Sequence, residues 1–595
     1  MARSAKLNVD VVAIVCEFFN DLSDVLSFSL TCSTFHRVAI RRLLSMRPVD
    51  LKGGTSTRKF YDFLLAEAHT HRAPLIRALN IDIKIGSPET HQAAQQNDAS
   101  ILLDILSACA QIQFLSIPVQ PARYSITDYP HVVAAIGALR NLRSLSVHVW
   151  LARQLALFHA VNAPVRKISR HSMLSSDPEV RGRWSSSILE EFLPRFAPTL
   201  EKLELNKFIT DEDSAPSVFD MTQYPAVRSL SVGSISGTPR LDHLQRLFPA
   251  LAGTLSLGRL DLKFSFLPSE DTRFEILTNM RAENEQAQER LGSRAWKKVD
   301  RVICDARMFY VLRLRYPIRL VMLDSCLASG GDSRYARYAL RENPAPRLKL
   351  SMVLDSSTLT GLGEIFSPEL TGMLTHLTLC LVYANDFLCT TAAQAEAFAT
   401  IRWNDLLESM ASKLRPLHQL THLRIIIRSQ VYQDETEEAL AYAQHSEEFV
   451  RALRRSAFDF EGTAASLLGS PPSLRYLFLT TSSNLADTDR DWRTTFERWH
   501  ETRAWRIAGS GTNEANHVEP LLVSLHDQVV KTIIRKEELV LSDTDTSSHL
   551  FLALEVDFSI TRLSACPHED PYADLCATNQ PAPYGEAIEL LLDRL

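Results

Sequence analysis

One short phrase recurs along this chain: an apolar residue, two others, an apolar residue, one other, and an apolar residue. It reads I-R-A-L-N-I-D-I from Ile76, I-Q-F-L-S-I from Ile112, L-R-S-L-S-V from Leu142, L-E-K-L-E-L from Leu200 and V-R-S-L-S-V from Val227. It returns as L-T-H-L-T-L from Leu374, L-T-H-L-R-I from Leu420 and L-R-Y-L-F-L from Leu474, with fainter copies at Ile168, Leu257, Ile318 and Leu348. The alternation at its end predicts a strand whose apolar side chains point to one side. Starts at 76, 112, 142, 200 and 227 lie 36, 30, 58 and 27 residues apart, and the longest gap holds the copy at Ile168. Helix-patterned stretches fall between copies, at 151–161, 187–196, 241–248 and 397–414.

One strand and one helix in each unit of about 25–30 residues is the signature of a leucine-rich-repeat solenoid. The expected fold is therefore α/β: a short N-terminal helical module followed by an irregular leucine-rich-repeat-like solenoid. A chain of 595 residues is too long for one compact core, and a stacked array removes that limit. Regular repeats place Asn or Cys three positions after the last apolar residue. Here Trp150, Phe208, Val382 and Arg428 stand there, so irregular turns are expected.

The first fifty residues read differently. Val11, Val15, Phe18 and Leu22 recur at helical spacing on one face. Asn8 and Asp10 suit a helix start, and Asn20, Asp21, Ser23 and Asp24 a break. A second apolar stretch holds Val25, Leu26, Phe28, Leu30 and Phe35. A third runs over 38–44, studded with Arg37, Arg41 and Arg42. Two or three short helices in about forty residues bury little on their own, so the segment reads as a docking module that completes its core on a partner.

This segment, L-N-V-D-V-V-A-I-V-C-E-F-F from Leu7 and S-D-V-L-S-F-S-L-T-C-S-T-F-H-R-V-A from Ser23, resembles the F-box family. The family pattern opens Leu-Pro-x-Glu, continues as an apolar helix and ends in a leucine-rich stretch with Cys and an aromatic residue. Leu7, Asp10, Val11, Val15, Phe19, Asp24, Leu26, Leu30, Cys32, Phe35 and Ala39 match it or replace it conservatively. Asn8 stands where the family usually has proline. The stretch from Trp296 to Leu320 is similar to a phrase in the leucine-rich-like domains that follow F-boxes in large fungal families. The resemblance implies binding to the Skp adaptor of an SCF-type cullin ubiquitin ligase, through Leu7, Asn8, Val11, Val15, Leu26 and Leu30. It also implies an unknown protein target held by the repeats. The alternative is a non-ligase interaction scaffold with an F-box-like module. The expected organisation is an F-box over 1–50, a linker helix over 51–75, the solenoid over 76–482, and irregular C-terminal repeats with a cap over 483–595.

Nothing in the chain assembles a nucleophile, a base and an orienting group, so no enzymatic activity, cofactor or metal is expected. Cys566, His568 and Cys576 lack a fourth ligand, and His69 with His71 lack a third. Cys16, Cys32 and Cys380 read as small buried hydrophobes in a reducing compartment. A net charge of -6 does not suit a nucleic-acid partner. No apolar run reaches membrane-spanning length. An intracellular protein, cytoplasmic or nuclear, is expected.

Two features point to binding. Trp492, Phe496, Trp499 and Arg503 recur at helical spacing, with Trp505 beyond, and read as core packing or a partner site. Arg301, Arg307, Arg313, Arg315 and Arg319 form a basic run, read as outward strand positions or a patch for an acidic target. The polar stretches 268–295 and 483–520 read as excursions from the array.

Overall fold

The computed structural model describes residues 9–541, apart from 20–21, 66–71, 83–91, 118–125, 127–128, 149–155, 172–188, 190–192, 210–221, 262–269, 328–329, 355–357, 385–401, 431–448, 450–451, 454–456, 486–496 and 509–520. The fold is mixed α/β, with sixteen strands and sixteen α-helices among these residues. Contacts divide the chain into two units: 1–233 with 246–250 and 572–595, and 234–245 with 251–571.

The first unit opens with three short helices, α1 (Val9–Glu17), α2 (Leu22–Ser29) and α3 (Ser33–Met46). Cys16, Val25 and Ala39 form their small core, flanked by Phe19, Phe28, Val38, Leu43 and Met46. Phe28 meets Phe19 edge-on at 5.2 Å between ring centres and stacks on Phe35 at 4.5 Å. Arg42 of α3 donates to the Phe19 carbonyl at 3.1 Å, tying the end of α1 down. Cys32, expected inside, is exposed.

Strands and helices then alternate: β1 (Val49–Lys52), α4 (Gly53–Leu65), β2 (Ala78–Asp82), α5 (Gln92–Ala108), β3 (Phe114–Ile117), α6 (Pro130–Gly137), β4 (Ser144–His148), α7 (Ala156–Ala160), β5 (Lys167–His171), β6 (Lys202–Ile209) and β7 (Ser229–Ser236). Strands β1 to β6 pair in parallel, in chain order. Parallel neighbours need a long crossover, which the intervening segments supply. One backbone pattern repeats on entry to each strand. The Arg77 carbonyl accepts from Gln113 and Phe114, that of Gln113 from Arg143 and Ser144, and that of Arg143 from Arg166 and Lys167. The sheet starts earlier than the expected solenoid: β1 pairs with β2, so residues 49–52, expected as the end of the F-box and the start of the linker helix, are a strand of the sheet.

The second unit continues the alternation. After α8 (Leu241–Leu247), which spans the boundary, come β8 (Thr254–Asp261), α9 (Glu270–Leu291), β9 (Val299–Cys304), α10 (Ala306–Leu312), β10 (Ile318–Leu327), α11 (Gly330–Glu342) and β11 (Arg347–Val353). Then follow α12 (Thr358–Ile365), α13 (Pro368–Thr371), β12 (His376–Ala384), α14 (Trp403–Leu414), β13 (His422–Gln430), α15 (Phe460–Leu467) and β14 (Tyr476–Leu485). The apolar positions of the phrases are sealed: Leu374, Leu377, Leu379, Leu420, Leu423 and Ile425 have no exposure. Each such side chain contributes about 1.5–3 kcal/mol by leaving water.

Two expectations fail here. The polar stretch 268–295 is no excursion: α9 runs through it with Leu277, Arg281, Asn284, Ala287 and Gln288 buried on one face. The described members of the aromatic stripe, Trp499, Arg503 and Trp505, are not helical. They lie on β15 (Glu497–Ala508), which pairs antiparallel with β14, and β16 (Leu521–Ser524) pairs antiparallel with β15. Trp499 and Trp505 are buried, donating to the Leu453 carbonyl and to Glu461, each at 3.1 Å. A last helix, α16 (Asp527–Lys536), packs Val530 and Ile534 against Phe478 and Ala504.

Candidate functional site

The first candidate is the outer face of α1. Helical geometry divides its apolar residues in two. Val12 and Cys16 are buried, Cys16 in the three-helix core, while Val11, Ile14, Val15 and Phe18 face water, with Val11 49%, Val15 43% and Phe18 77% exposed. Leu30, at the end of α2, is 70% exposed. Of the ten large hydrophobic side chains exposed among the described residues, six lie between Val9 and Leu30. Scattered exposed apolar residues are ordinary, but a cluster of this kind marks an interaction surface. Leu26 is half-buried. Leu7 and Asn8 lie outside the described residues.

The second candidate lies on the sheet of the second unit. The phrases turn Leu and Ile toward the helices, so the residues between them share the opposite face. Register aligns Arg347 with His376, His376 with His422 and His422 with Tyr476, and, one step on, Lys349 with Thr378, Thr378 with Arg424 and Arg424 with Phe478. The chain returns to this face after α16. Glu538 closes that helix with φ at 54°, the left-handed conformation usually left to glycine. The Leu539 amide donates back to the Ile534 carbonyl at 2.9 Å. Residues 537–541 then cross the strands.

Their contacts are dense and mostly polar. Arg319 holds Asp300 at 2.7 and 2.8 Å and also pairs with Glu538. Arg301 pairs with Glu538 as well. Arg347 donates to the Glu537 carbonyl at 2.9 Å and to its carboxylate at 3.2 Å. Lys349 donates to the Val540 carbonyl, and Arg424 donates to that of Leu539 at 2.9 Å. Leu541 packs on Cys380, Val382 and Ile426. Hydrogen bonding from Arg319 holds both Glu538 and Asp300 below the usual carboxylate range. Burial raises Glu537, but the charge interaction with His422, the bond to His376 and the charge of Arg347 leave it lowered.

His376 and His422 stack with ring centres 4.3 Å apart. Burial and the neighbouring His376 push His422 down to about 4; burial and Arg347 lower His376. Both rings are therefore neutral near pH 7, and the 3.2 Å contact of His376 with Glu537 is a hydrogen bond rather than an ion pair. These two histidines and Glu537 bring their ligand atoms within 4.8 Å of one another and could hold a cation, although Arg347 already bonds the same carboxylate.

The predicted basic run is divided by the fold. Arg301 and Arg319 are on the sheet face. Arg307 pairs with Asp332 at 2.7 Å, Arg313 with Glu285 at 2.7 Å, and Arg315 with Glu289 at 3.1 Å. Arg347 was absent from that sequence reading, because the arginines that meet on the sheet lie on three separate strands. The pairs His69 and His71, the group Cys566, His568 and Cys576, and Trp492 with Phe496 lie outside the described residues. No helix among the described residues is long and apolar enough to cross a membrane. No protein-family model and no curated protein sequence matches the chain.

Proposed function

We propose that this chain is the target-binding subunit of an SCF-type cullin ubiquitin ligase: an F-box module followed by a leucine-rich-repeat-like solenoid. The outer face of α1 docks on the Skp adaptor, the adaptor joins the cullin, and the sheet carries a protein target. No chemistry is asked of the chain itself. Holding a target lysine beside the charged conjugating enzyme raises its effective concentration.

The observation that supports this reading is the clustering of exposed apolar residues on α1 and the end of α2, in the segment whose sequence resembles the F-box. An apolar helix face of this kind suits burial against a groove on a partner. The test is Val11→Asp with Val15→Asp. Both side chains point to solvent, so the melting curve is expected to stay in place while capture of a purified Skp adaptor falls at least a hundred-fold. Capture at wild-type level by a folded double variant would refute adaptor docking through this face. Recovery of adaptor without cullin would favour the scaffold reading.

A further inference from the structure

The face that residues 537–541 cross carries an unbalanced charge. Arg301, Arg319 and Arg347 present three guanidinium groups, and among the described residues the acidic partner the sheet supplies in their ion pairs is Asp300. Further carboxylates come from Glu537 and Glu538. Arginine reads carboxylates well because its planar fork matches their geometry. The strand of Arg347 and the next two add donors for a peptide backbone: Lys349 takes the carbonyl of Val540, and Thr378 (at 3.3 Å) and Arg424 take that of Leu539. Beyond them Cys380, Val382 and Ile426 form an apolar seat, filled by Leu541. The order of features is two carboxylate sites, two carbonyl sites and an apolar site along one short segment that leaves the turn closing α16. Glu538 also keeps a left-handed backbone, which is unfavourable for a residue with a Cβ, while its side chain reaches two arginines.

We propose that this row is a peptide-binding site for a short segment carrying two consecutive carboxylates in a turn followed by apolar residues, and that residues 537–541 are its resident, competing occupant. The inference deepens the proposed function by giving the chemical class of the target, and it rests on that reading only for the word target. Two carboxylates held by exchangeable, partly exposed arginine contacts form the end of the segment that a competitor displaces first. The resident copy sets a threshold, since an incoming segment must outcompete an occupant present at high effective concentration.

The experiment uses the full chain and a fluorescein-labelled synthetic peptide of its residues 535–543, R-K-E-E-L-V-L-S-D. Glu537→Gln with Glu538→Gln removes the resident charges and keeps their shape. Anisotropy titration is expected to give at least ten-fold tighter binding to that variant than to the wild type. Adding Arg319→Gln and Arg347→Gln should reverse the gain, as should replacing both glutamates of the peptide by glutamine. A loosened variant that binds the peptide no better than the wild type overturns the proposal, as does equal binding of the glutamine peptide. Should the variant not fold, hydrogen exchange on the wild type decides: amides of 537–541 exchange faster under saturating peptide, and unchanged exchange overturns the proposal. Adaptor capture, measured on the same variants, keeps failure here separate from failure of α1 docking.

Discussion

At the scale of single residues, chemistry follows from where a side chain is pointed. His422 lies between His376 and Tyr476, ring centres 4.3 and 4.9 Å away, with Glu537, Arg347 and Arg475 as its charged neighbours. Its folded value of about 4 is below the 6.5 of a free imidazole. The fold therefore binds fewer protons than the unfolded chain between these values, and stability rises with pH there. The contribution is intact above pH 6.5 and is lost as pH falls toward 4. The carboxylates of Glu537 and Glu538 are lowered too, so their contribution is lost in a window below 4.5. Melting temperatures measured from pH 7 to 4 should fall more steeply for the wild type than for His422→Phe, by about one proton taken up on unfolding. Parallel curves would show that burial of His422 costs nothing on protonation. Residues 12 and 15 make the same point about direction. Val12 is buried and Val15 is not. Val12→Asp would bury an unpaired carboxylate and should cost about 3 kcal/mol or more. Val15→Asp should leave thermal unfolding unchanged.

At the scale of elements, what the sequence made legible is what apolar periodicity encodes. All twelve phrases read from the chain fall on strands, because each ends in two alternate apolar side chains on one side of the strand, as Leu377 and Leu379 do, with a third buried just before it, as Leu374 is. The elements missed are those whose buried residues are polar or whose period misled. In α9 three of the five inward positions are Arg281, Asn284 and Gln288, leaving too thin an apolar stripe to read. Asn284 accepts from the Leu241 amide at 2.9 Å and donates to the carbonyls of Pro239 and Val311 at 2.9 and 3.0 Å. Gln288 donates to that of Arg313 at 2.9 Å. The helix thus satisfies loop backbone that the strand–helix alternation leaves open. Asn284→Leu should lower stability by about 2–4 kcal/mol, since three buried backbone groups lose their partner. A denaturation midpoint within error of wild type would show that the loops find other donors. In β15, Trp499 and Trp505 share one side of a strand, a spacing that a helix reading also accommodates in part. The sheet-face site was half legible for a similar reason. Arg301 and Arg319 are close in sequence, but Glu537 and Glu538 reach them only through a return of the chain.

At the scale of the whole molecule, the question is where the array can begin. The sequence reading starts it at 76, at the first full phrase, but Val49, Asp50, Leu51 and Lys52 pair with Leu79, Asn80, Ile81 and Asp82. Val49, Leu51, Leu79 and Ile81 are all buried, and Asn80 donates to Asp50 at 3.1 Å. Cutting at 76 removes β1 and α4 together, uncovers the edge of β2 and exposes Leu79 and Ile81 along a strand free to pair with another chain. Cutting at 47 removes α1 to α3 and keeps that first strand and its helix. A chain of residues 47–595 is therefore expected to remain monomeric on size exclusion and to melt in one cooperative transition, while residues 76–595 self-associate and melt several degrees lower. The lost burial alone, four aliphatic side chains at about 1.5–3 kcal/mol each, is comparable with the stability of an ordinary domain. If both truncations behaved alike, β1 would be an ornament on an array that begins at Ala78. If only the longer one folds, the unit that presents the α1 face and the one that starts the sheet are separable at a single peptide bond near Arg47.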